Sequence, residues 1–196
     1  WDGGCMRQAV VGLLAHVDAG KTTLAEAMLA ASGAIRVPGS VDDGSTHLDT
    51  DAMERERGIT IFSATASLEW DGARLMLVDA PGHVDFSAEA ERTVAALDAA
   101  ILVVGAGDGV QGHTETLWDL LERNAVPTFV FVSKCDLENP GRGALLAELS
   151  ARLSPGCLDA TALLAGDPSV TEEAAASDEA ALEEYLASGE LTTGTL

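Results

Sequence analysis

The stretch A-H-V-D-A-G-K-T-T, residues 15–23, decides how this chain is read. It follows Q-A-V-V-G-L-L-A at 8–15, an apolar run that reads as a buried strand. It opens a segment from Thr22 to Ala31 that is rich in helix formers and that Gly33 can end. A strand, a loop of small residues and then a helix form the setting of a phosphate loop. Small side chains let backbone N–H groups approach the phosphates, a Lys reaches the β- and γ-phosphates, and a hydroxyl binds Mg²⁺. Gly20, Lys21 and Thr22 supply glycine, cation and hydroxyl, while Ala15 stands where the strict pattern begins with glycine. The candidate phosphate-binding residues are therefore Ala15, His16, Val17, Asp18, Ala19, Gly20, Lys21, Thr22 and Thr23. The plain alternative is a helix start that happens to carry G-K-T.

Outward from this loop the pattern is that of an α/β domain. Residues 34–58 are polar, Gly-rich and aperiodic, a length at which loops are usually functional. Residues 62–70 alternate apolar and polar, the signature of a half-buried strand. Asp71-Gly72 is a hairpin signal, and Ala73–Val78 returns as a second strand. Helices are expected at Ser87–Leu97, Thr114–Asn124 and Arg142–Arg152, with strands at Ala100–Val104 and Thr128–Ser133 between them. The expected fold is thus α/β, a doubly wound and mostly parallel sheet with one antiparallel strand pair. Beyond Ser154 the chain is acidic and Ala-rich, with one expected helix at Asp178–Leu186 and no second domain. The domain plan is a possible extension at 1–5, a core at 6–153 and an acidic insertion or tail at 154–196.

Three further motifs lie where strands end. D-A-P-G-H, residues 79–83, can hold Mg²⁺ through Asp79 and sense the γ-phosphate through the Gly82 N–H, with Ala80 and Pro81 between them. Taken alone, Asp-Ala-Pro-Gly is an ordinary turn. S-K-C-D, residues 133–136, places a carboxylate at Asp136 that can accept from the ring N–H and the exocyclic amine of guanine. Adenine lacks that donor pair, so Asp136 would select guanine, with Lys134 along the base plane and Ser133 and Cys135 completing the loop. R-G-I-T-I, residues 57–61, offers Thr60 to Mg²⁺ and the γ-phosphate. Taken alone, Thr60 is an ordinary β-branched strand residue. His83 follows the phosphate-sensing glycine and is the candidate catalytic residue, orienting the attacking water. His47 and His113 have no evident partner and are expected to be solvated.

Composition narrows the setting. The net charge of −21 argues against a broad basic face for nucleic acid. The chain has two lysines, Lys21 and Lys134, and both fall inside these motifs. Cys5, Cys135 and Cys157 lack the spacing of a zinc site or a disulfide framework and suit a reducing compartment. No apolar run approaches the roughly 18–20 residues that cross a bilayer, and no signal peptide is visible. A cytoplasmic monomer that makes no membrane contact is expected.

At these residues the chain resembles the translational GTPases of the elongation factor G group. The likeness is carried by A-H-V-D-A-G-K-T-T, D-A-P-G-H-V-D-F and E-R-E-R-G-I-T-I. Within that group it looks most like the tetracycline-resistance ribosomal protection proteins, through S-G-A-I (32–35), G-S-V-D (39–42), Thr46, Asp49 and D-G-V-Q-G-H-T. The resemblance spans roughly residues 6–190 and is weakest in the tail. It implies a ribosome-dependent GTPase that uses GTP with Mg²⁺, yields GDP and displaces tetracycline from the ribosome. The metal-binding positions it implies are Thr22, Thr60 and Asp79. Asp18, Lys21, Gly82, His83, Lys134 and Asp136 match the other functional positions.

Three departures stand out. Ser133 replaces an Asn whose amide bridges the base and the phosphate loop, a loss on the order of 1 kcal/mol that predicts weaker GTP binding. Ala80 replaces a Thr, a mild change. The family's last guanine-site motif and its ribosome-contacting domains are not within these 196 residues, so the chain reads as a fragment of a larger protein. The alternatives are an elongation factor G or release-factor-like paralogue, and a GTP-binding module without turnover of its own. An ATP-using kinase is disfavoured by Asp136.

Overall fold

The computed structural model describes residues 7–37, 39, 64–79, 87–176 and 179–188. The chain divides into two compact units, Trp1–Pro140 and Gly141–Leu196.

The first unit is built on a five-stranded sheet. Its elements are β1 (Arg7–Ala15), α1 (Lys21–Ala31), β2 (Ala64–Trp70), β3 (Ala73–Asp79), α2 (Ser87–Val94), β4 (Ala99–Gly105), α3 (Gly112–Arg123) and β5 (Thr128–Ser133). The strand order is β2-β3-β1-β4-β5. Strands β3, β1, β4 and β5 run parallel, and β2 pairs antiparallel with β3, as the hairpin signal requires. At that hairpin Asp71 and Gly72 both have positive φ, 47° and 76°, the pair a type I′ turn demands.

Alternation along the strands separates the two faces. Leu13, Leu68 and Leu77 form a buried cluster with Ala25 and Leu29 of α1, flanked by Val11, Leu75 and Ile101. Leu14, Leu102 and Val104 occupy the intervening positions, are almost fully buried, and so point to the opposite face. There α3 packs on β1 and β4, with Leu117 and Leu121 buried. Helices on both faces make the sheet doubly wound. On β2 the alternation holds at Leu68, which is buried, but Trp70 at the strand end is 57% exposed.

One helix ends short of the sequence reading. The helix expected to reach Leu97 ends at Val94. Ala96 and Leu97 bond back three residues, to Thr93 and Val94, which tightens and closes the last turn. The residues expected to form the first part of β2, and the loop before it, lie outside the described residues.

The second unit is helical: α4 (Arg142–Arg152), α5 (Ala160–Leu164), α6 (Pro168–Ala176) and α7 (Glu179–Ser188). One tail helix was expected, and three are present among the described residues. Asp159 caps α5 by accepting from the Thr161 and Ala162 amides, and Asp167 accepts from Ser169 with Pro168 at the first helical position. Asp-Pro before a helix was therefore a legible start signal. Arg142 bonds Asp159 through two nitrogens, joining the start of α4 to the cap of α5. That guanidinium holds the Asp159 carboxyl below the usual carboxylate range. The helices α6 and α7 are in contact, and Ala174 and Ala175 of the one and Ala181 of the other are buried.

Leu77 is fully buried at the centre of the first unit, so Leu77→Ala should lower unfolding free energy by about 2–5 kcal/mol. Trp70→Ala should cost far less. Urea denaturation followed by circular dichroism would check both, and equal costs would refute the assignment of the core.

Candidate functional site

Strand register sets the site. Leu13 of β1 lies opposite Asp79 of β3, Ala15 opposite Val103 of β4, and Gly105 opposite Ser133 of β5. The carboxyl ends of four parallel strands therefore finish near one edge of the sheet. Ligands of open α/β sheets bind at such an edge.

The loop between β1 and α1 begins in the core. Ala15 and Ala19 are 1% and 3% exposed and pack with Val103. The position where the strict pattern has glycine thus carries a Cβ that the core accepts. His16 and Val17 are half-buried, while Asp18 is exposed and left-handed at φ 61°, a conformation Asp tolerates better than most residues. Gly20 caps α1 with φ 89° and no side-chain hydrogen bond. The first intrahelical bond runs from Leu24 N to Gly20 O at 3.0 Å. The amides of Lys21, Thr22 and Thr23 belong to the opening turn, whose N–H groups and dipole favour an anion.

Lys21 is 8% exposed, and its Nζ lies 2.7 Å from Oδ1 of Asp79, which is fully buried. The only lysine of the first helix and the carboxylate ending β3 thus form one buried ion pair. Two bare charges could not occupy such positions cheaply, and pairing offsets much of their desolvation.

The third loop meets the first. Ser133 Oγ donates to the Ala19 carbonyl at 2.6 Å and lies 3.3 Å from the Val104 carbonyl. A Cβ added at Gly20 would sit 3.7 Å from Ser133 Oγ, which places the two loops side by side. The bridge to the phosphate loop, expected to suffer when Asn gives way to Ser, is present with the shorter side chain. Lys134 follows at φ 55°, a left-handed non-glycine residue at a strand end. Leu137 N bonds Lys134 O at 3.2 Å, and Asn139 closes the loop on the carbonyls of Cys135 and Leu137. Cys135 and Asp136 are exposed.

Of the predicted site residues, Ala15 to Thr23, Asp79 and Ser133 to Asp136 are described; Thr60, Ala80, Pro81, Gly82 and His83 lie outside the described residues. His47 lies outside them too. His113 is less exposed than the sequence reading expected, and it has a ring neighbour. It is half-buried one residue into α3, and its ring stands edge-on to His16 with centroids 6.2 Å apart. Sequence reading also passed over Glu26, 1% exposed, whose carboxylate accepts the Gly39 amide at 2.8 Å. Its place beside Ala25 and Leu29 on the buried side of α1 was the available signal.

Among the described residues no group of three or more His, Cys, Asp or Glu could hold a metal. No described helix is long and apolar enough to cross a membrane.

Comparison with known proteins identifies the family. Residues 6–191 match the family model of the elongation factor Tu GTP binding domain. The tetracycline resistance protein TetO of Streptococcus mutans is 47% identical over 144 residues, 74% of this chain and 22% of that protein. TetW of Butyrivibrio fibrisolvens is 53% identical over 126 residues, 64% of this chain and 20% of that protein. TetM from transposon Tn916 of Enterococcus faecalis is 44% identical over 144 residues, again 74% of this chain and 22% of that protein. A crystal structure from Thermus thermophilus superposes with a TM-score of 0.80 at 30% identity, over 97% of this chain and 34% of that one. The chain therefore spans about a fifth of the length of these curated relatives. It belongs to the elongation factor Tu GTP-binding domain family.

Proposed function

We propose that this domain binds GTP with Mg²⁺ and hydrolyses it within a larger, ribosome-dependent protein that protects against tetracycline. The observation that carries the reading is the 2.6 Å bond from Ser133 to Ala19, which ties the candidate base loop to the candidate phosphate loop. The tetracycline resistance proteins among its relatives support the drug-protection part.

In this reading the opening turn of α1 and Lys21 hold the phosphates. Asp136 accepts from the guanine ring N–H and exocyclic amine, and Lys134 lies along the base. Thr22 and Asp79 suit Mg²⁺: both offer hard oxygens, and Asp79 is a fully buried carboxylate beside the phosphate loop. Thr60 would complete that set. Mg²⁺ when bound neutralises charge on the phosphate oxygens. Lys21, relieved of Asp79, turns its ammonium to the phosphates.

His83 orients the attacking water. Such domains hydrolyse GTP slowly until a partner positions the catalytic group. Ribosome binding supplies that partner, and hydrolysis releases the protein. The site works on the cytoplasmic side, where ribosomes and GTP are.

Nucleotide displacement, stimulated hydrolysis and protection of growing cells test this. Fluorescent GDP should be displaced from the chain by GTP and not by ATP. Asp136→Asn should weaken GDP about 5- to 150-fold, the range of a lost bidentate base contact, and should favour xanthosine diphosphate instead. Displacement by ATP as readily as by GTP would refute the guanine site.

In the full-length protein, ribosomes should stimulate hydrolysis, and His83→Ala should remove about 10²- to 10⁴-fold of that rate without changing GDP affinity. The same variant should fail to protect growing cells from tetracycline. Equal stimulated rates would overturn the role of His83.

A double-mutant cycle on Lys21→Met and Asp79→Asn, read by urea denaturation without nucleotide, should return a coupling energy of about 1–3 kcal/mol. Additive effects would show that the buried pair contributes nothing to stability.

A further inference from the structure

We infer that this guanine site does not read N7 of the base, because Ser133 is a positioning residue whose single hydroxyl proton is committed to the phosphate loop. The inference rests on the S-K-C-D loop holding guanine, as proposed above.

The argument is a count of protons. A serine hydroxyl has one. Both neighbours of Ser133 Oγ, the Ala19 carbonyl at 2.6 Å and the Val104 carbonyl at 3.3 Å, can only accept. The proton goes to the nearer carbonyl, and Oγ presents lone pairs to everything else. The N7 and O6 atoms of guanine are also acceptors. No hydrogen bond can form between two acceptors, whatever the pose of the base.

The other hydroxyl, thiol and amide side chains of the loop supply no substitute. The side-chain hydroxyl, thiol and amide donors between residues 133 and 139 are Ser133, Cys135 and Asn139. The Cys135 thiol lies against the Val132 carbonyl at 3.5 Å. Asn139 directs its amide nitrogen at the carbonyls of Leu137, at 2.8 Å, and Cys135, at 3.2 Å. All three donors are turned back onto main-chain carbonyls. Lys134 remains, a mobile point charge without the fixed donor direction that distinguishes one acceptor from its neighbour. The carboxylate of Asp136 is left to recognise the base from its opposite, donor-bearing edge. Ser133 acts at a distance from the base: it holds Ala19, and through Ala19 the loop that meets the phosphates.

The test compares GDP, 7-deaza-GDP and ADP as competitors of fluorescent GDP on the full chain. With the natural Ser133, GDP and 7-deaza-GDP should bind within about twofold of each other, since no hydrogen bond to N7 is lost. Ser133→Asn introduces amide donors and should create a preference for GDP of about fivefold or more. Ser133→Ala should weaken both guanine nucleotides by the same factor, because only the tie to Ala19 is lost. If the natural protein binds 7-deaza-GDP about fivefold more weakly while still preferring GDP to ADP, the inference fails and the guanine site stands. Unequal losses in Ser133→Ala would also overturn it, as would a folded Ser133→Asn variant with no preference. If ADP competes as well as GDP, the guanine site itself is wrong and the inference falls with it.

Discussion

Everything in the first unit depends on β1 pairing in parallel on both sides at once, with β3 and with β4. A strand so placed has no free edge and both faces covered. Its side chains must then be apolar in near-continuous succession, as Leu13, Leu14 and Ala15 are. Slipping the register by one residue would exchange the face that meets α1 with the face that meets α3, and both would lose their packing. The same register decides where the strands stop. The loop leaving β1, the carboxylate ending β3 and the loop leaving β5 consequently meet, although they are far apart in the chain.

Charge is distributed around that convergence. The chain carries 32 acidic and 11 basic Lys or Arg residues, so its surface repels polyanions unless cations are placed locally. Both lysines stand in the site's motifs, Lys21 at the start of α1 and Lys134 in the loop after β5. Lys21 is buried against Asp79, a pairing whose two members each need the other because neither is solvated. The backbone carries its own cost nearby. Asp18 and Lys134 adopt left-handed conformations that non-glycine residues seldom take, and both belong to the loops that the sequence motifs single out. Strain of this kind persists where the surrounding contacts over-determine the loop.

Ser133 shows how a departure from a family pattern should be weighed. From the residue types alone, a shorter side chain with one hydroxyl predicts the loss of one hydrogen bond and weaker GTP binding. In the folded chain Gly20 brings the phosphate loop so close that a hydroxyl on Cβ reaches the Ala19 carbonyl directly. One half of the asparagine's work is therefore kept by proximity. The other half needs a second proton, which serine lacks.

Much of the fold was legible in the sequence because periodicity and turn chemistry are local. The alternation before Asp71-Gly72, the apolar run before the phosphate loop and the helix formers after it depend only on neighbouring residues. Helix ends and the tail were less legible. The helix α2 stops at Val94 through bonds within its last turn, although the sequence beyond it continues to suit a helix. In the second unit α5 and α6 start at caps on Asp159 and Asp167, and the residues buried on α6 and α7 are alanines, too small to leave a strong apolar period. What the sequence by itself determined was the chemistry available at each loop: the cation, the carboxylates, the hydroxyls and their order along the chain. What only the tertiary structure decided was which of these groups touch. Lys21 with Asp79, Ser133 with Ala19, and His16 with His113 are each separated by dozens of residues, and a contact of that range is set by strand register and packing, which no local pattern encodes.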